Sequence, residues 1–224
     1  MTAQPTWLAV DEYLMSTLGP EDQPLREALA ASERAGLPPI QVSAAQGRVL
    51  MVLAMAVGAK RILEVGTLGG YSTIWLARGL SPGGSITTLE IDPHHAALAQ
   101  RNIAGAGFQD RVEVLIGRAL DSLHQLRARV GPPFDMVFID ADKESTAAYV
   151  DAAADMTRPG GLIVVDNVVR EGEVVNAHST DSRVQGVRAG LARLGSHPRL
   201  VSGALQVVGS KGYDGLAMAV VRSA

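Results

Sequence analysis

The chain has 224 residues, 47% of them apolar and 19% charged, with a net charge of -3. That is enough for one large core, and it leaves no basic stripe of the kind that follows nucleic-acid phosphates. The absence of cysteine excludes thiolate catalysis, disulfides and Cys-ligated zinc. The opening MTAQPTWLAVDEYL lacks the basic and apolar regions of a signal peptide, and the longest apolar run, 49–59, is about half a membrane span. A cytoplasmic location with no membrane or nucleic-acid partner is therefore expected.

One domain is expected over 1–224, with N-terminal helices in 1–58 and an α/β core in 61–224. Trp7, Val10, Leu14 and Leu18 recur at helical spacing. Pro24 suits the first turn of a second helix, which Gly36 and the pair Pro38-Pro39 end. Ser43 stands three residues before Gln46, a capping-box spacing. A buried core helix is expected to follow, carrying Val49, Leu50, Leu53 and Val57 and closing at Gly58. From Arg61 onward, β-rich runs at 61–65, 85–90, 111–115, 134–139 and 161–166 alternate with helical stretches. Those stretches are 71–80, 93–107, 119–130 and 144–156. This alternation is the pattern of a parallel sheet with helices on both faces. Asp92-Pro93 reads as an N-cap followed by a first-turn proline. Val184, Val187, Leu191 and Leu194 give one more helix. The last two β-rich runs, 199–208 and 215–221, are joined by GSKGYD with no room for a helix, so they form an antiparallel hairpin and bring the sheet to seven strands.

The chemistry gathers at strand ends. The first β run leads into Glu64-Val65-Gly66-Thr67-Leu68-Gly69-Gly70-Tyr71-Ser72. A Gly-rich strand-to-helix turn lets a ligand approach the backbone closely, and the spacing is not GxGxxG. Glu90 ends the second strand, where a carboxylate accepts hydrogen bonds from ribose hydroxyls, which leaves NAD and S-adenosylmethionine both open. The turn separates them. A dinucleotide needs its pyrophosphate at a helix N-terminus, whereas S-adenosylmethionine carries an ammonium that a carboxylate such as Glu64 suits. At the ends of strands four and five stand Asp140 and the pair Asp166-Asn167. In a parallel sheet these ends share one edge, and two carboxylates with an amide oxygen form a hard donor set for Mg2+, Ca2+ or Mn2+. Lys143, three residues past Asp140, is placed to act as a base near such a cation. No histidine shows metal-ligand spacing, and His94 and His95 fall on one surface helix, so none is assigned a role.

Together, EVGTLGGYS, LEIDP, FIDADK and VVDN resemble, in order and approximate spacing, the cation-dependent O-methyltransferases of the catechol and caffeoyl-coenzyme A type. The likeness runs from about Ile40 to the C-terminus. It implies a Rossmann-like class I S-adenosylmethionine-dependent methyltransferase fold, with sheet order 3-2-1-4-5-7-6 and strand seven antiparallel. It further implies cofactor contacts at Val42, Glu64, Gly66, Thr67, Ser72, Glu90, Ala119 and Asp140. Asp140, Asp166 and Asn167 match the family's metal ligands, and Lys143 its base. A small aromatic hydroxyl acceptor and a homodimer are also implied. An alternative keeps the cofactor, drops the metal and takes a different acceptor. Two departures stand out. Residues 168–183 follow the metal motif where many relatives carry an aromatic residue, and the hairpin turn 209–215 is longer than the usual Gly-Asp-Gly.

Overall fold

The computed structural model describes residues 5–129 and 131–223. The first four residues of the expected domain and Val130, the last residue of the expected helix 119–130, lie outside them. Eight α-helices and seven strands follow in the order α1 (Pro5–Leu18), α2 (Gln23–Arg34), α3 (Ala44–Ala56), β1 (Arg61–Val65), α4 (Tyr71–Gly79), β2 (Ser85–Glu90), α5 (Pro93–Gly105), β3 (Val112–Ile116), α6 (Ala119–Ala128), β4 (Phe134–Ile139), α7 (Thr146–Met156), β5 (Thr157–Asp166), α8 (Ser182–Ser196), β6 (Leu200–Gly209) and β7 (Gly212–Val221). Short 3-10 segments at Lys143–Ser145 and Arg170–Val175 precede α7 and follow β5.

The strands form one sheet in the order β3-β2-β1-β4-β5-β7-β6, as expected. β7 runs antiparallel to both neighbours, β5 and β6. Because helices cover both faces, side chains on either side of the central strands are enclosed, and Met136, Val137 and Phe138 are fully buried. Val137 and Ile139 pack with α7 and α8 residues such as Val150 and Val187, while Met136 and Phe138 pack with Ile74 and Trp75 of α4 and Leu50 of α3.

Local chemistry sets the helix starts. Ser43 Oγ accepts from Gln46 N–H at 3.1 Å while Gln46 Oε1 accepts from Ser43 N–H at 2.9 Å, completing the expected capping box. Asp92 caps α5 by accepting from His94 N–H at 2.7 Å.

Three expectations need correction. α3 is not a fully buried helix: Leu50 and Ala54 are enclosed, but Val49, Val52 and Met55 are exposed. An apolar run gives no phase, and only one face of α3 meets α4 and the sheet. The hairpin turn is not a long GSKGYD loop. Pairing continues to Gly209↔Gly212, leaving Ser210 and Lys211 at the tip and placing Tyr213 and Asp214 in β7. Gly212 takes φ +93°, which glycine adopts without strain beside a tight turn. β5 also begins four residues earlier than expected, at Thr157, across a register irregularity opposite Phe134. Among the described residues, no helix is long and apolar enough to cross a membrane.

Candidate active site

A cavity of about 1200 Å³ opens at the carboxyl edge of the parallel strands, the usual ligand edge of such sheets. One end is built on the turn after β1. Gly66 takes φ +103°, and a Cβ there would lie 2.2 Å from the Asp140 carbonyl oxygen. Only glycine lets the ends of β1 and β4 close this far, with Asp140 N–H donating to the Val65 carbonyl at 2.8 Å. Leu68 is also left-handed, at φ +51°. Its N–H donates to Glu90 Oε2 at 2.7 Å, so the tip of β2 holds the turn in shape. Glu90 Oε1 accepts from Asp92 N–H at 2.9 Å.

Val42, Gly66, Thr67, Ser72, Glu90, Ala119 and Asp140 all line this cavity. Glu64 lies behind the wall instead. It is fully buried and accepts hydrogen bonds from Ser72 at 2.6 Å, from Thr88 at 2.7 Å and from Thr73. Its carboxyl thus orients the Ser72 hydroxyl that faces the cavity. Burial pushes the Glu64 carboxyl up to about 7, and the three hydroxyls oppose that rise.

At the other end, β4 and β5 pair in register with Ile139 beside Val165. Continuing that register by one residue sets Asp140 beside Asp166, and neighbouring strands are only about 5 Å apart. Asp166 is buried at 3% exposure, behind the wall, and its Oδ1 accepts from Asn167 N–H at 2.7 Å. Burial pushes its carboxyl up to about 8, the Asp140 carboxylate adds to the rise, and the Lys143 ammonium opposes it. Asn167 lines the cavity with φ +60°, a conformation a non-glycine residue holds only when its surroundings impose it. Lys143 also lines the cavity, and its Nζ donates to Asp140 Oδ1 at 2.7 Å.

No group of three or more His, Cys, Asp or Glu side chains suited to a metal occurs among the described residues. The donor set is therefore two adjacent carboxylates and one amide. That fits a hard cation of the Mg2+ kind, which takes one or two carboxylates and completes its shell with water or substrate oxygens.

His95 and Arg170 are among the cavity residues assigned no role from the sequence. His95 lies with Nδ1 3.7 Å from Glu90 Oε1. Arg170 lies three residues after Asn167, at the start of a short 3-10 segment. The position of His95 in the first turn of the helix after β2 was a usable signal, since that helix starts at the ligand edge.

A doubly wound sheet with an antiparallel seventh strand, and a Gly-rich turn facing an acidic strand tip, define the class I methyltransferase fold. The solved O-methyltransferase from Bacillus cereus, in complex with SAH, matches with a TM-score of 0.95 and 52% identity, covering 97% of this chain and 99% of its own. The O-methyltransferase TomG from Streptomyces achromogenes, in complex with SAM, matches with a TM-score of 0.95 and 43% identity over the whole of both chains. Catechol O-methyltransferase of Mycobacterium tuberculosis is 52% identical over 222 residues, 99% of each chain. The O-methyltransferase family profile matches residues 15–219. The chain belongs to the O-methyltransferase family.

Proposed function

We propose that the protein transfers a methyl group from S-adenosylmethionine to a hydroxyl of a small catechol-like acceptor, assisted by a divalent cation, most naturally Mg2+. The observation that carries this reading is one cavity with two chemically distinct ends. One end has a Gly-rich turn pinned to Glu90, and the other has Asp140, Asn167 and Lys143 beside the buried Asp166. The SAH and SAM held by the two solved relatives, and the catechol in the name of the Mycobacterium tuberculosis relative, support the same ligands here.

In this reading Glu90 binds the ribose, and Ser72, Thr67 and the Val42 segment hold the methionine portion. Ala119, at the start of α6, lies beside the adenine, and its small side chain leaves the ring room. Asp140 and Asn167, with Asp166 adjoining them from behind the wall, would hold the cation. When bound, the cation supplies Lewis acidity that lowers the pKa of an acceptor hydroxyl. The cosubstrate supplies an already electrophilic methyl. The chain itself contributes alignment and a partly enclosed site. Lys143 would accept the proton that leaves the acceptor hydroxyl at Nζ, after first releasing one ammonium proton of its own to solvent so that it stands there as the neutral amine.

Incubation with S-adenosylmethionine, Mg2+ and catechol, read by mass spectrometry, tests the reading. A monomethylated catechol with stoichiometric S-adenosylhomocysteine is expected. No product across a panel of vicinal diols would overturn it.

A cytoplasmic homodimer belongs to the same proposal. The exposed Leu8, Tyr13, Leu14 and Leu18 of α1, with Val201 and Leu205 of β6, support a subunit contact. Light scattering giving a monomer mass at micromolar concentration would remove it.

A further inference from the structure

The segment after β5 is held in an unusual shape. Arg170 and Glu171 take φ +55° and +56°, and Gly172 takes φ +93°. Left-handed non-glycine residues are strained and persist only where neighbours impose them. The neighbour here is Asp214 of β7. Its Oδ1 accepts from the N–H groups of Val169, Arg170 and Gly215 at 2.9, 3.0 and 2.9 Å. Val168 N–H donates to the Gly215 carbonyl at 3.1 Å. The backbone contacts of Asp214 therefore position Arg170 on the cavity wall, three residues beyond Asn167.

The cations at this end of the cavity differ in how far their charge is already used. Lys143 donates to Asp140 at 2.7 Å. Arg183 grips Asp181 with two nitrogens, at 3.0 and 2.6 Å. Arg170 faces the Asp214 carboxylate at 3.7 Å, which is beyond hydrogen-bond distance, and, after the hydrogen bonds from Arg183, it helps through space to lower the pKa of the Asp181 carboxyl. Its Nε is buried without a hydrogen-bond partner, and a guanidinium offers five donors. Two acids that line the same cavity, Asp142 and Glu144, are bonded to other groups. Asp142 accepts from Ser145 N–H and the Tyr149 hydroxyl, and Glu144 accepts from Ser182.

The geometry points to Arg170 as an acceptor-specificity residue that selects a diol ring bearing an anionic substituent, with a carboxylate the best match. This inference rests on the diol O-methylation reading above and narrows its substrate class. A rigid planar fork pairs with a carboxylate through two parallel hydrogen bonds, which a neutral ring substituent does not provide.

The test compares 3,4-dihydroxybenzoate with the neutral 3,4-dihydroxybenzamide, using the full chain, Mg2+ and S-adenosylmethionine. The wild type should favour the acid in kcat/KM. Arg170→Met should shrink the acid-to-amide ratio roughly 10- to 100-fold, the loss expected for a hydrogen-bonded charge pair, and mainly through the KM of the acid. Arg170→Lys should recover part of the ratio by charge alone. A wild type that favours the amide overturns the inference. So does an equal fall for both acceptors, because it would leave Arg170 only as a brace for its segment. If neither diol turns over, the methylation reading fails. The charge preference is then read by titrating the same two compounds into protein loaded with Mg2+ and S-adenosylhomocysteine. Equal affinities there overturn it.

Discussion

Replacing Glu64 by Gln should flatten part of the pH dependence of the cofactor-free protein's stability. The carboxyl is fully buried, and burial raises its pKa from 4.5 to about 7. Between those two values the folded state holds a proton that the unfolded chain has released. Stability therefore falls as pH rises through this window: the contribution is complete below pH 4.5 and gone above about 7. A difference of about 2.5 units corresponds to about 3 kcal/mol, of which about 2 kcal/mol lies between pH 5.5 and pH 8. Asp166, also raised by burial, moves stability in the same direction and is unchanged in the variant. Subtracting the two proteins therefore isolates Glu64. Urea unfolding followed by circular dichroism at pH 5.5 and pH 8 gives the needed free energies. The gap between wild type and E64Q should change by about 2 kcal/mol, with the wild type gaining relative stability at the lower pH. Parallel curves would mean that Ser72, Thr73 and Thr88 hold the carboxylate ionised in spite of its burial, and the account of this corner of the site would be wrong.

Three further variants probe the site. Gly66→Ala should drive a methyl group into the Asp140 carbonyl, destabilise the fold by more than about 2 kcal/mol and abolish calorimetric binding of S-adenosylhomocysteine; a well-folded variant that still binds would show that the turn has slack. Lys143→Ala should lower kcat roughly 10²- to 10⁴-fold while leaving cosubstrate affinity near wild type; equal turnover would dismiss Lys143 as the group that takes the proton. Lys211 Nζ donates to the Pro39 carbonyl at 2.8 Å, tying the hairpin tip to a cavity-lining loop. Lys211→Met should raise the KM for catechol roughly tenfold with little change in kcat, and an unchanged KM would make that tie irrelevant to the acceptor.

Much of this was legible in the sequence because it is encoded locally. Alternating β-rich and helical runs give the parallel sheet with helices on both faces, the family resemblance adds its strand order, and the caps at Ser43 and Asp92 form as their spacing requires. The strand-end acids fall on one edge because parallel strands share their carboxyl ends. What was not legible depends on partners distant in sequence. Gly212, Tyr213 and Asp214 look like a loop by composition, yet they become strand because residues 207–209 pair with them. The apolar repeat of α1 predicts the helix but not its burial: no residue of α1 is buried, and the helix contacts α3 and β6. Glu64 reads as a ligand for an ammonium, but the hydroxyls of Thr73 and Thr88, brought from α4 and β2, enclose it and leave Ser72 facing the cavity. Arg170 stood in a segment that departs from relatives, and its significance emerged only when Asp214, 44 residues later, proved to hold its backbone.

The proposed mechanism centres on a cation, and exhaustive chelation tests it most directly. Protein stripped with EDTA and assayed with S-adenosylmethionine and catechol should fall to background, and Mg2+ added back should restore turnover along a saturable curve. Full-rate methylation by the stripped protein would mean that Asp140, Asp166 and Asn167 serve the fold and the cosubstrate, and that hydroxyl activation happens without a metal.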